Sequence, residues 1–75
     1  MSRLEILAAV RSLLAEHADL PADDAAPLEV ESFVLVVVAE ALEERFGIRV
    51  AAREMRPENF GSVTRIADYV EGKAR

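Results

Sequence analysis

The chain contains no cysteine among its 75 residues. Disulfide bonds, thiolate metal sites and a cysteine nucleophile are therefore excluded, and nothing opposes a cytoplasmic location. Its longest apolar run, Phe33 to Ala39, is far shorter than the roughly 20 residues of a membrane-spanning helix. The N-terminus also lacks the basic-then-apolar pattern of a secretory signal, because Glu5 and Arg11 interrupt it. The sequence predicts a cytoplasmic protein that does not act at a membrane.

Lysine and arginine are absent from the stretch between residues 12 and 44. This stretch holds nine of the 14 acidic residues, whereas the rest of the chain holds five acids and all nine bases. The stretch therefore carries a charge of −9 and the remainder +4. Such a polarised chain steers basic partners toward its acidic part and argues against a binder of nucleic-acid phosphates. The alternative is a solvated acidic surface that keeps a small protein soluble.

Apolar periodicity and helix boundary signals predict a single all-α domain over residues 1–75. A Ser-x-x-Glu capping box at Ser2 opens the first helix, Ser62 caps the last one, and Gly47 and Gly72 are predicted helix stops. The predicted elements are a helix at 3–18, a loop at 19–29, a helix at 30–46, a loop at 48–56, a one-turn helix at 57–60 and a helix at 63–71.

The first helix and the loop after it are expected to contribute apolar side chains to the core. Leu20 and Leu28 are expected to anchor the loop. The predicted apolar stripe of the first helix is broad and consists of Leu4, Ile6, Leu7, Ala8, Val10, Leu13 and Leu14.

The second helix has to be distinguished from a strand, because Phe33–Val38 has the composition of a buried strand. The segment continues unbroken into strongly helical residues, so its length favours one helix of about fifteen residues. Its inward stripe is Leu35, Val38, Ala39, Leu42 and Phe46. Val34, Val37 and Ala41 then fall on a second face, which predicts an exposed apolar strip beside Ser32, rimmed by Glu31, Glu40 and Glu44. The alternative is that a short neighbouring element covers this strip.

Few residues of the chain can carry chemistry. The single histidine, His17, is expected to be a helix-end residue and not a base or a metal ligand. The aspartates at 19, 23 and 24 do not have the spacing of a calcium loop, and there is no glycine-rich phosphate loop. Ser32 remains, at a helix start where backbone N–H groups and the helix dipole favour an attached phosphate. The alternative for Ser32 is a plain N-cap.

Three motifs occur in order along the chain: Glu31-Ser32-Phe33, the run Ala41–Ile48, and Pro57–Val63 followed by Ile66–Val70. Together they resemble the phosphopantetheine-dependent acyl and peptidyl carrier proteins, and the resemblance extends over residues 4–71. The fold that it implies is a four-helix bundle with three longer helices, a short third helix and a long first loop. This is the helix order expected from periodicity.

The resemblance implies that Ser32 receives 4′-phosphopantetheine from coenzyme A through a separate phosphopantetheinyl transferase. The thiol of that arm would hold an acyl or aminoacyl group as a thioester, so the chain would be a monomeric carrier and not an enzyme. Its other partners would be an adenylation or acyltransferase enzyme that loads it, and synthase, condensation or tailoring enzymes that use the cargo. The implied partner-binding residues are Glu31, Phe33, Val34, Val37, Glu40, Ala41 and Glu44.

Departures from the family pattern favour a freestanding carrier of polyketide or nonribosomal-peptide biosynthesis, as in antibiotic pathways. Glu31 and Phe33 replace the usual Asp and Leu, and Val34 and Val37 stand where carriers of fatty-acid synthesis usually have acids. Two alternatives stay open: an acyl carrier of primary fatty-acid metabolism, and an unmodified helical interaction domain of the same fold.

Overall fold

The computed structural model describes residues 2–74, which form four α-helices and one 3₁₀ turn. These elements are α1 (Arg3–Ala15), α2 (Ser32–Phe46), the 3₁₀ turn (Ala52–Glu54), α3 (Pro57–Phe60) and α4 (Val63–Lys73). The described residues contain no β-strand. The prediction of an all-α bundle with a short third helix and a long first loop is confirmed.

Helix α1 begins with the predicted capping box. Ser2 Oγ accepts a hydrogen bond from the N–H of Glu5, and Glu5 Oε1 accepts one from the N–H of Ser2 at 2.9 Å. The predicted apolar stripe was too broad, because Leu4 is 78% exposed and Ala8 is exposed as well. Both lie two residues, or about 200° of helix rotation, from Ile6 and so face solvent. The buried residues of α1 are Ile6, Val10 and Leu14.

The loop between α1 and α2 begins earlier than predicted. The N–H groups of His17 and Ala18 both bond to the carbonyl oxygen of Leu14, and this tightened turn ends the helix at that point. Leu20 and Leu28 pack, partly buried, against the core, which confirms their predicted role as anchors.

Helix α2 is one continuous helix through the valine-rich run. It begins at Ser32, slightly later than the predicted Val30, and ends at Phe46. Gly47 has a φ of 65° and its N–H bonds to the carbonyl of Glu43, so it ends the helix as predicted. The predicted inward stripe is confirmed, with Val38, Ala39 and Leu42 buried and Leu35 and Phe46 partly buried.

The segment between α2 and α3 contains a 3₁₀ turn that the sequence reasoning missed. Glu54 is the centre of its contacts. Its Oε1 accepts hydrogen bonds from the N–H of Ala51 and the hydroxyl of Tyr69, both at 3.1 Å, and lies 3.0 Å from Lys73 Nζ. Lys73 and these donors lower the pKa of Glu54 to about 2. Burial and the nearby Glu54 raise the pKa of Tyr69 to about 12.

Helix α4 has the predicted cap but not the predicted end. Ser62 Oγ accepts a hydrogen bond from the N–H of Arg65 at 3.1 Å. The predicted stop at Gly72 is wrong, because the helix continues to Lys73. The ion pair between Lys73 and Glu54 gives this last turn a tertiary contact that local sequence does not reveal.

The core lies where α4 packs against α1 and α3 and where α2 packs against α1. Arg3 ties the start of α1 to α4 through ion pairs with Asp68 at 2.6 Å and Glu71 at 3.3 Å. The ring centroids of Phe60 and Tyr69 lie 5.2 Å apart. Among residues 2–74, no helix has the length and apolar character needed to cross a membrane.

Candidate functional site

Ser32 is an exposed residue at the first position of α2. Glu31, immediately before it, occupies the N-cap position with an extended backbone, so Ser32 does not act as the N-cap. The carbonyl of Glu31 accepts the N–H groups of Val34 and Leu35. The N–H groups of Ser32 and Phe33 precede these bonds, and a helix provides no internal partners for them.

The start of α2 differs from the starts of α1 and α4. Ser2 and Ser62 cap those two helices, whereas no side chain caps α2 and its first turn contains no acid. Uncapped N–H groups and the positive end of the helix dipole attract an anion. A phosphate esterified to the hydroxyl of Ser32 would meet this environment.

Contacts with the α3–α4 junction hold the loop that leads to Ser32. The N–H of Leu28 donates to the carbonyl oxygen of Gly61 at 2.8 Å, and the carbonyl oxygen of Asp24 accepts the N–H of Thr64 at 2.9 Å. Ser32 is therefore presented at the end of a loop that is fixed at two points.

Arg11 provides a further attachment of this loop, which the sequence reasoning did not identify. Nη1 of its guanidinium group lies 2.6 Å from Asp24 Oδ1, and Nη2 donates to the carbonyl oxygen of Pro21 at 2.8 Å. Asp23 Oδ1 also accepts the N–H of Ala25 within the loop. The only sequence signal was that Arg11 is the last base before the acidic stretch.

An apolar surface adjoins Ser32 on α2. Phe33 is 65% exposed, Val36 49% and Val37 40%. With the exposed Glu40 and Glu44, they follow the spacing i, i+3, i+4, i+7 and i+11 along one side of the helix. We call these five residues the α2 face. Within residues 2–74 no neighbouring element covers its apolar part, so an exposed apolar surface lies beside Ser32 as predicted, although Val37 is the only residue of the predicted strip that belongs to it.

The composition of the strip differs in part from the prediction. Val34 is half-buried and packs against the core, and Ala41 is half-buried as well. Val36 was not among the predicted partner-binding residues, although it is more exposed than Val37. The helical spacing could have identified Val36. Each residue of the α2 face precedes a residue of the inward stripe by two positions, which places it on the opposite side of the helix.

Acidic side chains surround the apolar surface. Glu31, Glu40 and Glu44 are all exposed, and within residues 2–74 no cation lies within ion-pair distance of any of them. Their charges are therefore directed to solvent, where they attract a basic surface over a distance of about one Debye length, roughly 8 Å at physiological salt.

His17 lies beyond the end of α1 and is exposed. The described residues contain no group of three or more His, Asp or Glu that could hold a metal ion. In that same part of the chain, every buried side-chain nitrogen or oxygen has a hydrogen-bond partner.

Comparison with known proteins gives one informative match. The chain is 32% identical, over an alignment of 77 residues, to a curated acyl carrier protein of Acidothermus cellulolyticus. The alignment covers 93% of this chain and 89% of that protein. No protein-family model matches the chain, and no solved structure matches it significantly. Identity at this level over nearly the full length of both proteins, together with the four-helix fold, shows that the chain belongs to the acyl carrier protein family.

Proposed function

We propose that Ser32 carries a 4′-phosphopantetheine arm and that residues 1–75 act as one monomeric carrier domain for acyl or aminoacyl groups. The observation that supports this most directly is the position of Ser32. It is an exposed serine at the first residue of an uncapped helix, in a chain of the acyl carrier protein family. A phosphopantetheinyl transferase would supply the arm from coenzyme A.

The residues around Ser32 fit a phosphate ester. The N–H groups of Ser32 and Phe33 precede the first internal hydrogen bonds of α2, and the Glu31 side chain makes no capping hydrogen bond with the helix start. A phosphodiester on Ser32 Oγ would accept from such N–H groups and gain from the helix dipole. The position of Ser32 also leaves its hydroxyl accessible to a transferase.

The arm supplies a thiol that holds the cargo as a thioester, which the cysteine-free chain cannot provide itself. The role of the chain is to present that thioester. Tethering the cargo raises its effective concentration at each enzyme that binds the carrier. The fixed loop before Ser32 would keep the attachment point in one orientation toward those enzymes.

The α2 face would be the surface that these enzymes contact. Phe33, Val36 and Val37 offer exposed apolar area, and Glu40 and Glu44 continue the same side of the helix with negative charge. A partner would need an apolar depression bordered by basic residues. The transferase, the loading enzyme and the enzymes that use the cargo would share this contact, with Glu31 beside the attachment point.

We propose a role in polyketide or nonribosomal-peptide biosynthesis, because Val34 and Val37 replace acids that are usual in carriers of fatty-acid synthesis. The exposure of Val37 supports apolar docking at this position. The acidic Glu40 and Glu44 favour the second candidate, a carrier of primary fatty-acid metabolism, since they suit the electrostatic docking of that class.

Mass measurement tests the attachment. The protein is incubated with coenzyme A and a phosphopantetheinyl transferase of broad specificity, and the intact mass is then measured. We expect a gain of one phosphopantetheinyl group that is lost in Ser32→Ala and retained in Ser12→Ala, a control at another exposed serine. No gain would refute the proposal and favour an unmodified interaction domain, and a gain that persists in Ser32→Ala would refute attachment at Ser32.

Loading assays on the modified protein separate the two pathways. Adenylation enzymes and acyltransferases are compared at equal carrier concentration, with the ratio of kcat to KM as the readout. Preferential loading by an adenylation enzyme or a specialised acyltransferase supports the first candidate. Efficient malonyl loading followed by fatty-acid elongation would establish the second.

A further inference from the structure

The segment between α2 and α3, residues 47–56, carries a positive charge in an otherwise acidic protein. Arg49, Arg53 and Arg56 are all exposed, and the only acid of the segment is Glu54. We call residues 47–56 the arginine segment. Its charge is opposite to that of the α2 face, which directs Glu40 and Glu44 to solvent.

The arginines of this segment have no ionic partner in the described part of the chain. The ion pairs there involve Arg3, Arg11 and Lys73, whereas no carboxylate lies within 4.0 Å of the side chains of Arg49, Arg53 or Arg56. The cations that stabilise the fold are therefore different from those of the arginine segment.

The acids nearest to the segment are already engaged. Glu54 Oε1 accepts from Ala51 and Tyr69 and pairs with Lys73. Glu43 Oε2 accepts the N–H of Val50 at 2.8 Å. These contacts hold the backbone of the segment in place, but they leave the guanidinium groups of its arginines without a salt bridge.

Arg49 and Arg53 line the same recess, an open depression of about 380 Å³. Its other walls include Glu43, Glu54 and Lys73. Because Lys73 and Glu54 neutralise each other, the two arginines face only the charge of Glu43, and the recess keeps an excess of positive charge. The recess is thus an open, positively charged depression built on a fixed backbone.

The chemistry of the recess favours carboxylates over phosphates. Guanidinium groups bind carboxylates and phosphates alike through paired, parallel hydrogen bonds, so the surrounding charges decide between the two, and arginine is enriched at protein interfaces where lysine is depleted. All three free cations of the segment are arginines. A phosphate dianion would bring two negative charges against Glu43 and a chain of net charge −5, whereas each carboxylate side chain brings only one.

We propose that the arginine segment, centred on Arg49 and Arg53, is a docking surface for a carboxylate-rich surface of a partner protein. The partner places an Asp or Glu side chain in the recess and a further acid against Arg56. The segment leads from the end of α2 to α3, and the carbonyl of Gly61 just after α3 bonds to Leu28 in the loop before Ser32. The segment follows the C-terminal end of α2, whereas Ser32 is at the N-terminal end of that helix, so a protein that binds here contacts a part of the molecule away from Ser32.

This surface does not require the arm on Ser32, so its test uses the unmodified protein. A hexaglutamate peptide is titrated into isotopically labelled protein at low ionic strength, and backbone amide shifts are followed by NMR. We expect the shifts to concentrate in residues 47–56 and to disappear at about 1 M salt, where the Debye length is about 3 Å. Shifts spread evenly over the protein, or no shifts, would overturn the proposal.

Charge-reversal variants locate the binding. Arg49→Glu and Arg53→Glu should each weaken peptide binding about fivefold, since one exposed ion pair contributes a factor of about two to five and reversal adds repulsion. Arg65→Glu is the control with the same change of charge, because Arg65 is exposed on α4, outside the segment. Equal weakening by Arg65→Glu would show a general charge effect and refute a local site.

Ligands other than an acidic protein surface would give different results in these titrations. Pyrophosphate or a short DNA duplex that binds residues 47–56 more tightly than the peptide would overturn a carboxylate site. Shifts of the same residues that grow with protein concentration alone, together with a larger sedimentation coefficient, would assign the surface to contacts between copies of this chain and would also refute the proposal.

Discussion

Replacing Gly61 by alanine tests how tightly the junction between α3 and α4 is packed beside the loop that leads to Ser32. A Cβ atom at this position would lie 2.5 Å from the carbonyl oxygen of Pro57 and 3.3 Å from its carbonyl carbon. Both are backbone atoms, so rotation of a side chain cannot relieve the overlap. The backbone of Gly61, with φ −76° and ψ −15°, is ordinary for alanine, so the expected cost is steric.

The expected change in the free energy of unfolding follows from two opposing effects. Overpacking of a fixed site costs about 1–3 kcal/mol, and the lower entropy of the unfolded alanine chain offsets about 0.4–1 kcal/mol of this. We therefore expect a net loss of about 1–2 kcal/mol in the free energy of unfolding. A domain of this size has a total stability of about 4–11 kcal/mol, and each kcal/mol lowers the melting temperature by about 4–8 °C.

Thermal and urea denaturation followed by circular dichroism measure this loss. Gly72→Ala is the matched control, because a Cβ there meets nothing within 4 Å and Gly72 lies inside α4. It should stabilise the protein by up to about 1 kcal/mol, a change of opposite sign. Because the carbonyl of Gly61 holds Leu28, the transferase should also modify Ser32 more slowly in Gly61→Ala. Equal stability of the two variants would refute the packing argument.

The remaining predictions concern the α2 face and the pH dependence of stability. Val37→Glu should change the free energy of unfolding by no more than about 0.5 kcal/mol while altering which enzymes load the carrier, and loss of folding would mean that Val37 belongs to the core. The lowered pKa of Glu54, about 2 against 4.5 for the free group, contributes stability above pH 4.5 that is lost as the pH falls toward 2, so the denaturation midpoint of Glu54→Gln should depend less on pH in this window. The raised pKa of Tyr69, about 12 against 10.0, contributes stability below pH 10 that is lost as the pH rises toward 12, and Tyr69→Phe should remove this alkaline loss. An unchanged profile would contradict the ion pair with Lys73 in the case of Glu54→Gln, and the burial of the hydroxyl beside Glu54 in the case of Tyr69→Phe.

Helix order could be predicted because its signals are local. The capping box at Ser2, the cap at Ser62 and the left-handed Gly47 each act within one turn of a helix, and the structure has all three. The end of α4 could not be predicted in the same way. It depends on the ion pair between Lys73 and Glu54, which joins residues far apart in the sequence. Local signals therefore fix where helices occur, and tertiary contacts adjust their ends.

The candidate site was predicted only in part, because some of its features depend on tertiary packing and not on local sequence. Ser32 has a sequence motif, whereas the side of α2 that faces solvent depends on the rotation of the helix against the core. That rotation is hard to infer from a run of valines, since apolar residues occur around most of the helix start. Val34 was therefore assigned to the exposed strip, although it packs against the core, and Val36 was overlooked. The contact between Arg11 and Asp24 has no local pattern at all.

Glu31, which replaces the Asp that is usual in the family, differs from Asp in its ability to cap a helix. Aspartate is among the best N-cap residues, because its short side chain reaches the free N–H groups of the first turn. Glu31 occupies the N-cap position and makes no such hydrogen bond, although this chain caps α1 and α4 with Ser2 and Ser62. A helix start without a cap forgoes about 1 kcal/mol of stability. The N–H groups beside Ser32 are then free to donate hydrogen bonds to an anion other than a capping carboxylate, and a phosphate on the adjacent hydroxyl would be the nearest one.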